Sequence, residues 1–256
     1  MDRINVLIMA GDSGKREYDN QITNKSLMDV SDKWMVEYVV DALRESGMID
    51  KIAIVGPAET LKSRLADRVD YFIREEAHLF ENLKKGLSLF KDEEFVLVAS
   101  SDIPMITGSI IRDFIEKCRA SNVDLCYPIV NKTVNDHIYP GFKRTYVKLK
   151  DGTFTGGNII SLNPKVVEPC AEFVKGFIAH RKNPWKLGRL LGFRFLILLI
   201  VGRLSIQRIE RRFYELLKIR ARAIISPYPE IANDIDDPNE IGLAEEYLRK
   251  AESINL

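Results

Sequence analysis

Residues 5–11 read Asn5-Val6-Leu7-Ile8-Met9-Ala10-Gly11, an unbroken apolar run stopped by glycine, and a polar loop follows as far as Lys25. A run apolar at every position predicts a strand buried on both faces, as in the middle of a parallel sheet. Working outward, Val36, Val39, Val40 and Leu43 recur at helical spacing after Trp34, and Gly47 closes that helix. Lys51–Val55 reads as the next strand, ended by Gly56-Pro57, and Asp70–Ile73 as a candidate third. A helix over His78–Leu89, a strand over Phe95–Ala99, a helix over Ser109–Arg119 and a strand over Asp124–Tyr127 continue the series. Strands alternating with helices of this length require right-handed crossovers. The expected architecture is therefore α/β: three layers, a mostly parallel, mixed, twisted sheet with helices on both faces.

Two regions depart from the alternation. Tyr139–Ser161 carries short strand-like stretches flanking Asp151-Gly152, a strong hairpin turn, and is expected to add antiparallel strands at the sheet's edge. Residues 181–222 hold twelve Lys or Arg and two acidic residues, a local balance of +10 that leaves the rest of the chain at −9. They are expected to form a basic, partly apolar helical insertion within one domain spanning 1–256. The longest apolar run, Leu190–Gly202, is interrupted by Arg194 and falls short of the ~20 residues that cross a bilayer. Two readings of the insertion stand side by side: a helical lobe whose arginines are simply solvated, or a basic apolar surface for an amphiphilic substrate or a membrane surface.

The chain has 256 residues, 46% hydrophobic and 29% charged, enough apolar material for a substantial core and incompatible with wholesale disorder. A net charge of +1 gives no footprint for nucleic acid. Cys118, Cys126 and Cys170 show no CxxC spacing and no nearby histidine, which argues against zinc and for a reducing compartment. The first residues lack a signal-peptide core, so a cytoplasmic protein is expected.

In an open parallel sheet, ligands gather beyond the carboxyl ends of the strands. Three segments there carry chemistry. The loop from Gly11 combines glycines, whose backbone N–H groups can face an anion, with Lys15, Arg16 and Lys25. It matches neither GxxxxGK[ST] nor GxGxxG. Ser100-Ser101-Asp102 puts a carboxylate at the end of a buried strand, suited either to Mg²⁺ or to capping the next helix. Asp234 and Asp236 lie two apart, so in extended chain they share a face, just before a helix opening near Asp237-Pro238.

Taken together, the first strand with its AG-x-S loop and NK-S-L (Asn24–Leu27), the following WMVEYVVDALRESG, SDIPMIT, TGGNIISLNP and DIDDPNEIGLAEEYL resemble the MobA-like nucleotidyltransferases. The resemblance covers most of the chain outside 181–222. It implies a GT-A-like, Rossmann-like nucleotide-binding fold that moves a nucleoside monophosphate from an NTP to a phosphorylated acceptor. By the same resemblance, Ala10, Gly11, Asp12, Ser13 and Gly14, with Gly56 and Ser101, would bind the nucleotide. Lys25, aided by Lys15 and Arg16, would serve catalysis; Asp102, Asp236 and Asp234 would hold Mg²⁺; and Gly156, Gly157 and Asn158 would face the acceptor. The chain departs from the family pattern in having Asp12 at its second glycine, Lys15-Arg16-Glu17 for R-M-G, and a longer insertion before Lys25. A glycosyltransferase using a nucleotide sugar and a non-catalytic nucleotide-binding or membrane-associated protein are the other classes to weigh.

Overall fold

The apolar run at the head of the chain forms β1 (Ile4–Met9), flanked by two parallel neighbours in a nine-stranded sheet. The computed structural model describes residues 3–11, 24–180, 186, 192–237 and 239–254. After β1 come a small hairpin, β2 (Asp29–Val30) with β3 (Lys33–Trp34), and helix α1 (Met35–Glu45). Next are β4 (Ile49–Gly56), α2 (Ala58–Leu65), β5 (Tyr71–Arg74), α3 (Leu79–Leu87), β6 (Val96–Ser100) and α4 (Gly108–Ser121). β5, β4, β1 and β6 lie side by side, all parallel. Chain order runs leftward from β1 to β4 and β5 and then returns to β6 on its right, so loops leaving β1 and β6 diverge and open a crevice.

Alternation along the strands builds the layers. Val6 and Ile8, Ile52 and Ile54, Leu97 and Ala99 face one core with α1, α2 and α4. Leu7, Ala53 and Val55, Val96 and Val98 face the other, where Phe80 and Leu87 of α3 pack. The central stretches of these strands are apolar at successive positions because both faces are covered.

β7 (Leu125–Asn131), α5 (Lys132–Ile138), β8 (Val147–Leu149), β9 (Gly152–Gly156), β10 (Ile159–Leu162) and α6 (Ala171–His180) follow. The hairpin expected around Asp151-Gly152 is β8–β9, and β8 forms an edge. The rest of that region does not lie at the edge. β10 sits inside the sheet, antiparallel to both β6 and β7. The apolar Ile159-Ile160-Ser161-Leu162 can occupy that slot because Ile159 and Leu162 are buried on opposite faces. Gly157 and Asn158 make the transition: the Gly157 N–H donates to the Pro128 carbonyl, and the Asn158 carbonyl accepts from the Ser100 N–H, both at 2.8 Å.

Within the basic segment the described residues form α7 (Phe193–Ile200) and α8 (Ile206–Leu217), the second capped by the Ser205 side chain. The helical reading stops short at Ala221, where β11 (Ala221–Ser226) joins the sheet parallel to β7. Alternation of Arg222 with Ala221 and Ala223 puts its charge on one side of the strand, and the high local charge hides a strand signal. The chain ends in α9 (Asn239–Ile254).

Candidate active site

The carboxyl ends of β1 and β6 meet the segment before α9 in a cluster of charged side chains. At the end of β1, the Ala10 N–H donates to the Val55 carbonyl at 2.8 Å, tying β1 to β4. The Ala10 carbonyl accepts from Asn24 Nδ2 at 2.8 Å. Buried Asn24 also receives the Ser26 N–H on its Oδ1 at 2.8 Å, capping the 3₁₀ turn Lys25–Leu27. Lys25 is thereby fixed to the end of the central strand. Its Nζ donates to Asp102 Oδ2 at 2.6 Å and to Asp236 Oδ1 at 3.0 Å. Burial works to lower the lysine's pKa, but the two carboxylates outweigh it and hold the ammonium above its usual range.

Asp102 follows β6 by two residues and accepts from the Ser100 hydroxyl. It caps no helix: Thr107 performs that task for α4. The Asp102 carbonyl accepts from the Ile235 N–H at 2.9 Å, pinning the Asp234–Asp236 segment beside it. Ile235 is buried in an apolar cluster with Met35, Met105 and Phe142, which turns Asp234 and Asp236 together toward Asp102. Carboxylate oxygens of Asp102, Asp234 and Asp236 lie within 4.8 Å of one another. The N–H groups of Asp236 and Asp237 donate to Glu240 Oε2 at 2.9 and 3.3 Å, and the Asn239 N–H donates to Asp237 Oδ1. Asp237 therefore does cap the last helix, while Asp234 and Asp236 remain on the crevice.

Asp234 is largely enclosed, as is Asp102, while Asp236 is the more exposed of the three. Arg144, whose side chain is 6% exposed, donates from Nη1 to Asp234 Oδ1 at 2.5 Å, from Nη2 to the Asp234 carbonyl, and from Nε to Asn233 Oδ1 at 3.0 Å. Asn158 Nδ2 donates to the same Asp234 oxygen at 3.3 Å. Burial and then the charge of Asp102 push the Asp234 carboxyl up to about 6, against the pull of Arg144. Arg144 belongs to no recognisable motif and sequence reading passes over it, whereas Asn24 and Glu240 fall inside the NK-S-L and DIDDPNEIGLAEEYL stretches without being assigned a role there. Three hard carboxylates around an ammonium that already bridges two of them form a donor set suited to Mg²⁺.

The remaining sequence candidates fall around this cluster. Gly56 ends β4, and a Cβ there would meet the Ala10 carbonyl oxygen at 2.9 Å. Gly11 lies against the Glu75 carboxylate, 2.6 Å from where a Cβ would stand. Ser101 is buried beside Asp102. Gly156 and Gly157 lie under Tyr127 and Pro128, leaving no room for a side chain at either. Of the three acceptor candidates only Asn158 reaches the carboxylates. Asp12, Ser13, Gly14, Lys15 and Arg16 lie outside the described residues.

Gly56→Ala is expected to destabilise the protein by about 1–3 kcal/mol, because the new methyl meets backbone rather than a movable side chain. Urea unfolding measures this. Since the displaced Ala10 carbonyl also holds Asn24, the same variant should disturb the turn that carries Lys25.

A mixed sheet covered on both faces, with a lysine and three aspartates at its switch point, is an arrangement suited to binding an anionic ligand together with a cation. The chain matches the MobA-like NTP transferase domain over residues 6–175 and belongs to that family, making it a nucleotidyltransferase. It is 33% identical to a hypothetical transferase from Thermus thermophilus, with a TM-score of 0.82 over 93% of this chain and 99% of the other. It resembles 4-diphosphocytidyl-2C-methyl-D-erythritol synthase from Anaerococcus prevotii in fold, with a TM-score of 0.61, 12% identity and coverage of 97% and 96%. Among curated proteins it is 32% identical over 117 residues to the bifunctional protein GlmU of Thermoanaerobacter pseudethanolicus, covering 45% of this chain and 25% of that one. The matched part spans about a quarter of the length of such relatives. Among the described residues no helix is long and apolar enough to cross a membrane.

Proposed function

We propose that the chain transfers a nucleoside monophosphate from an NTP to a phosphorylated small-molecule acceptor, with Mg²⁺ and with release of pyrophosphate. The observation that carries this reading is the bridge from Lys25 to Asp102 and Asp236, a cation and a carboxylate cluster side by side at the crevice between β1 and β6. An acceptor phosphate oxygen forms a bond to the α-phosphorus, and the bond from that phosphorus to its bridging oxygen breaks. The electron pair leaves with pyrophosphate. Two polyanions must be held in line, and positioned positive charge supplies most of the rate.

Asp102 and Asp236, with Asp234 behind them, would hold Mg²⁺, which when bound neutralises phosphate charge and polarises the reacting phosphoryl group. Lys25 exchanges its carboxylate partners for phosphate oxygens and stabilises charge growing on the leaving pyrophosphate. Gly11 lets the nucleotide approach backbone at the end of β1, with Gly56 and Ser101 shaping the floor, and the loop Asp12–Arg16 contributes backbone N–H groups and the cations Lys15 and Arg16. Asn158, following Gly156 and Gly157, orients Asp234 and faces the acceptor. Arg144 is a positioning residue that acts through Asp234.

Lys25→Ala separates a transferase from a binding module. Turnover should fall roughly 10²–10³-fold, as when one preorganised charge-stabilising donor is removed, while the dissociation constant for the triphosphate changes much less. Equal losses in both quantities would assign Lys25 to ground-state binding alone and remove it from the catalytic step.

A further inference from the structure

Helix α7 is apolar on two opposite sides, and only one has a partner. Phe195, Leu198 and Leu199 pack into a cluster with Ile129, Leu149 and Phe154 of the sheet. Phe193, Ile197, Ile200 and Val201 follow the i, i+4, i+7, i+8 rule and form a second stripe turned outward, 75%, 45%, 57% and 56% exposed. A helix hydrophobic all round is ordinarily buried on all sides. At about 1.5 Å per residue this eight-residue helix is roughly 12 Å long, too short to span a bilayer and long enough to lie in its interface.

Charge identifies the occupant. Arg194 and Arg203 border the stripe, and Arg208 and Arg211 project from α8; all four are exposed, with no carboxylate partner among the described residues. The two acidic residues of this segment are engaged locally: Glu210 accepts the Ala223 N–H at 2.9 Å, and Glu215 pairs with Arg212 at 3.2 Å. The four exposed arginines would set like charges against each other if two copies of this face met. An anionic bilayer satisfies both demands, taking the apolar stripe at the level of its headgroups and the arginines against its surface charge. We propose that the α7 face docks the protein on anionic lipid surfaces. This holds whatever reaction the crevice catalyses.

The test is sedimentation of the purified full-length chain with vesicles of phosphatidylcholine alone and of phosphatidylcholine mixed with phosphatidylglycerol. The protein should sediment with the anionic vesicles only, and less as salt is raised. Ile197→Asn combined with Ile200→Asn should weaken binding at least about tenfold by removing buried apolar area. Arg194→Gln combined with Arg203→Gln should weaken it roughly fivefold per arginine. Both pairs are exposed, so each variant should keep the parent's unfolding temperature and its response to nucleotide. No binding to anionic vesicles, or binding that neither double variant alters, would overturn the proposal. So would a concentration-dependent dimer that the isoleucine variant abolishes and vesicles do not disperse, because a second copy would then cover the stripe.

Discussion

Replacing Asp102 by asparagine is expected to lower Mg²⁺-supported turnover by roughly a thousandfold while leaving the fold in place. A metal-held phosphoryl group gains several kcal/mol of charge stabilisation, and each 1.36 kcal/mol is a factor of ten in rate. Asparagine keeps the shape but removes the charge that draws Lys25 to 2.6 Å and that would bind the ion. Helix α4 is capped by Thr107, so its start does not depend on Asp102. The paired measurement is triphosphate affinity with and without Mg²⁺. The parent protein should show a large metal-dependent gain and the variant almost none. An undiminished gain in Asp102→Asn would move the metal away from this cluster.

Arg144→Leu is expected to cost about 3–5 kcal/mol of stability in metal-free protein, the usual penalty when one partner of a buried ion pair is deleted. The guanidinium is almost wholly enclosed and contributes contacts to Asp234 Oδ1, the Asp234 carbonyl and Asn233. Its loss would strand the Asp234 carboxylate next to Asp102, with Asn158 as its remaining hydrogen-bond donor on that oxygen. Urea unfolding in the presence of Mg²⁺ should recover part of the deficit, since a bound cation replaces the missing charge and stabilises by mass action. Arg144→Lys should fall between parent and leucine variant, because an ammonium keeps the charge but loses the three-pronged geometry. A leucine variant as stable as the parent would show that Asp234 is protonated and needs no partner.

The difference between these two residues shows what was legible in the sequence. Asp102 stands at the end of a five-residue apolar run, and Asp234 and Asp236 alternate with a buried isoleucine; both are local patterns. Lys25 stands just after Asn24, within the N-terminal stretch that resembles the family. Arg144 lies in a loop between α5 and β8 and meets Asp234 ninety residues later in the chain. Nothing within its own neighbourhood signals that meeting. Asn24 and Glu240 lie within stretches that resemble the family, but the backbone groups each one satisfies belong to turns set by tertiary packing. The same distinction runs through the fold. The parallel half of the sheet is written in short, mainly apolar runs, each followed by its own crossover helix. β10 has an equally apolar sequence, but its place between β6 and β7 is set by non-local pairing. β11 is masked by Arg220 before it and Arg222 within it, a charge density that reads as surface although Ile224 is buried.

The central claim is that the crevice between β1 and β6 binds a nucleoside triphosphate through Mg²⁺. Thermal unfolding against ATP, GTP, CTP and UTP, each with and without Mg²⁺, tests it most directly. A ligand at a hundred times its dissociation constant stabilises by about 2.7 kcal/mol, which corresponds to a shift of several degrees in a domain of this size. The account predicts such a shift with one base, present only with Mg²⁺ and absent in Asp102→Asn. A cooperative melt that no triphosphate moves, or a shift indifferent to both the metal and Asp102, would contradict it.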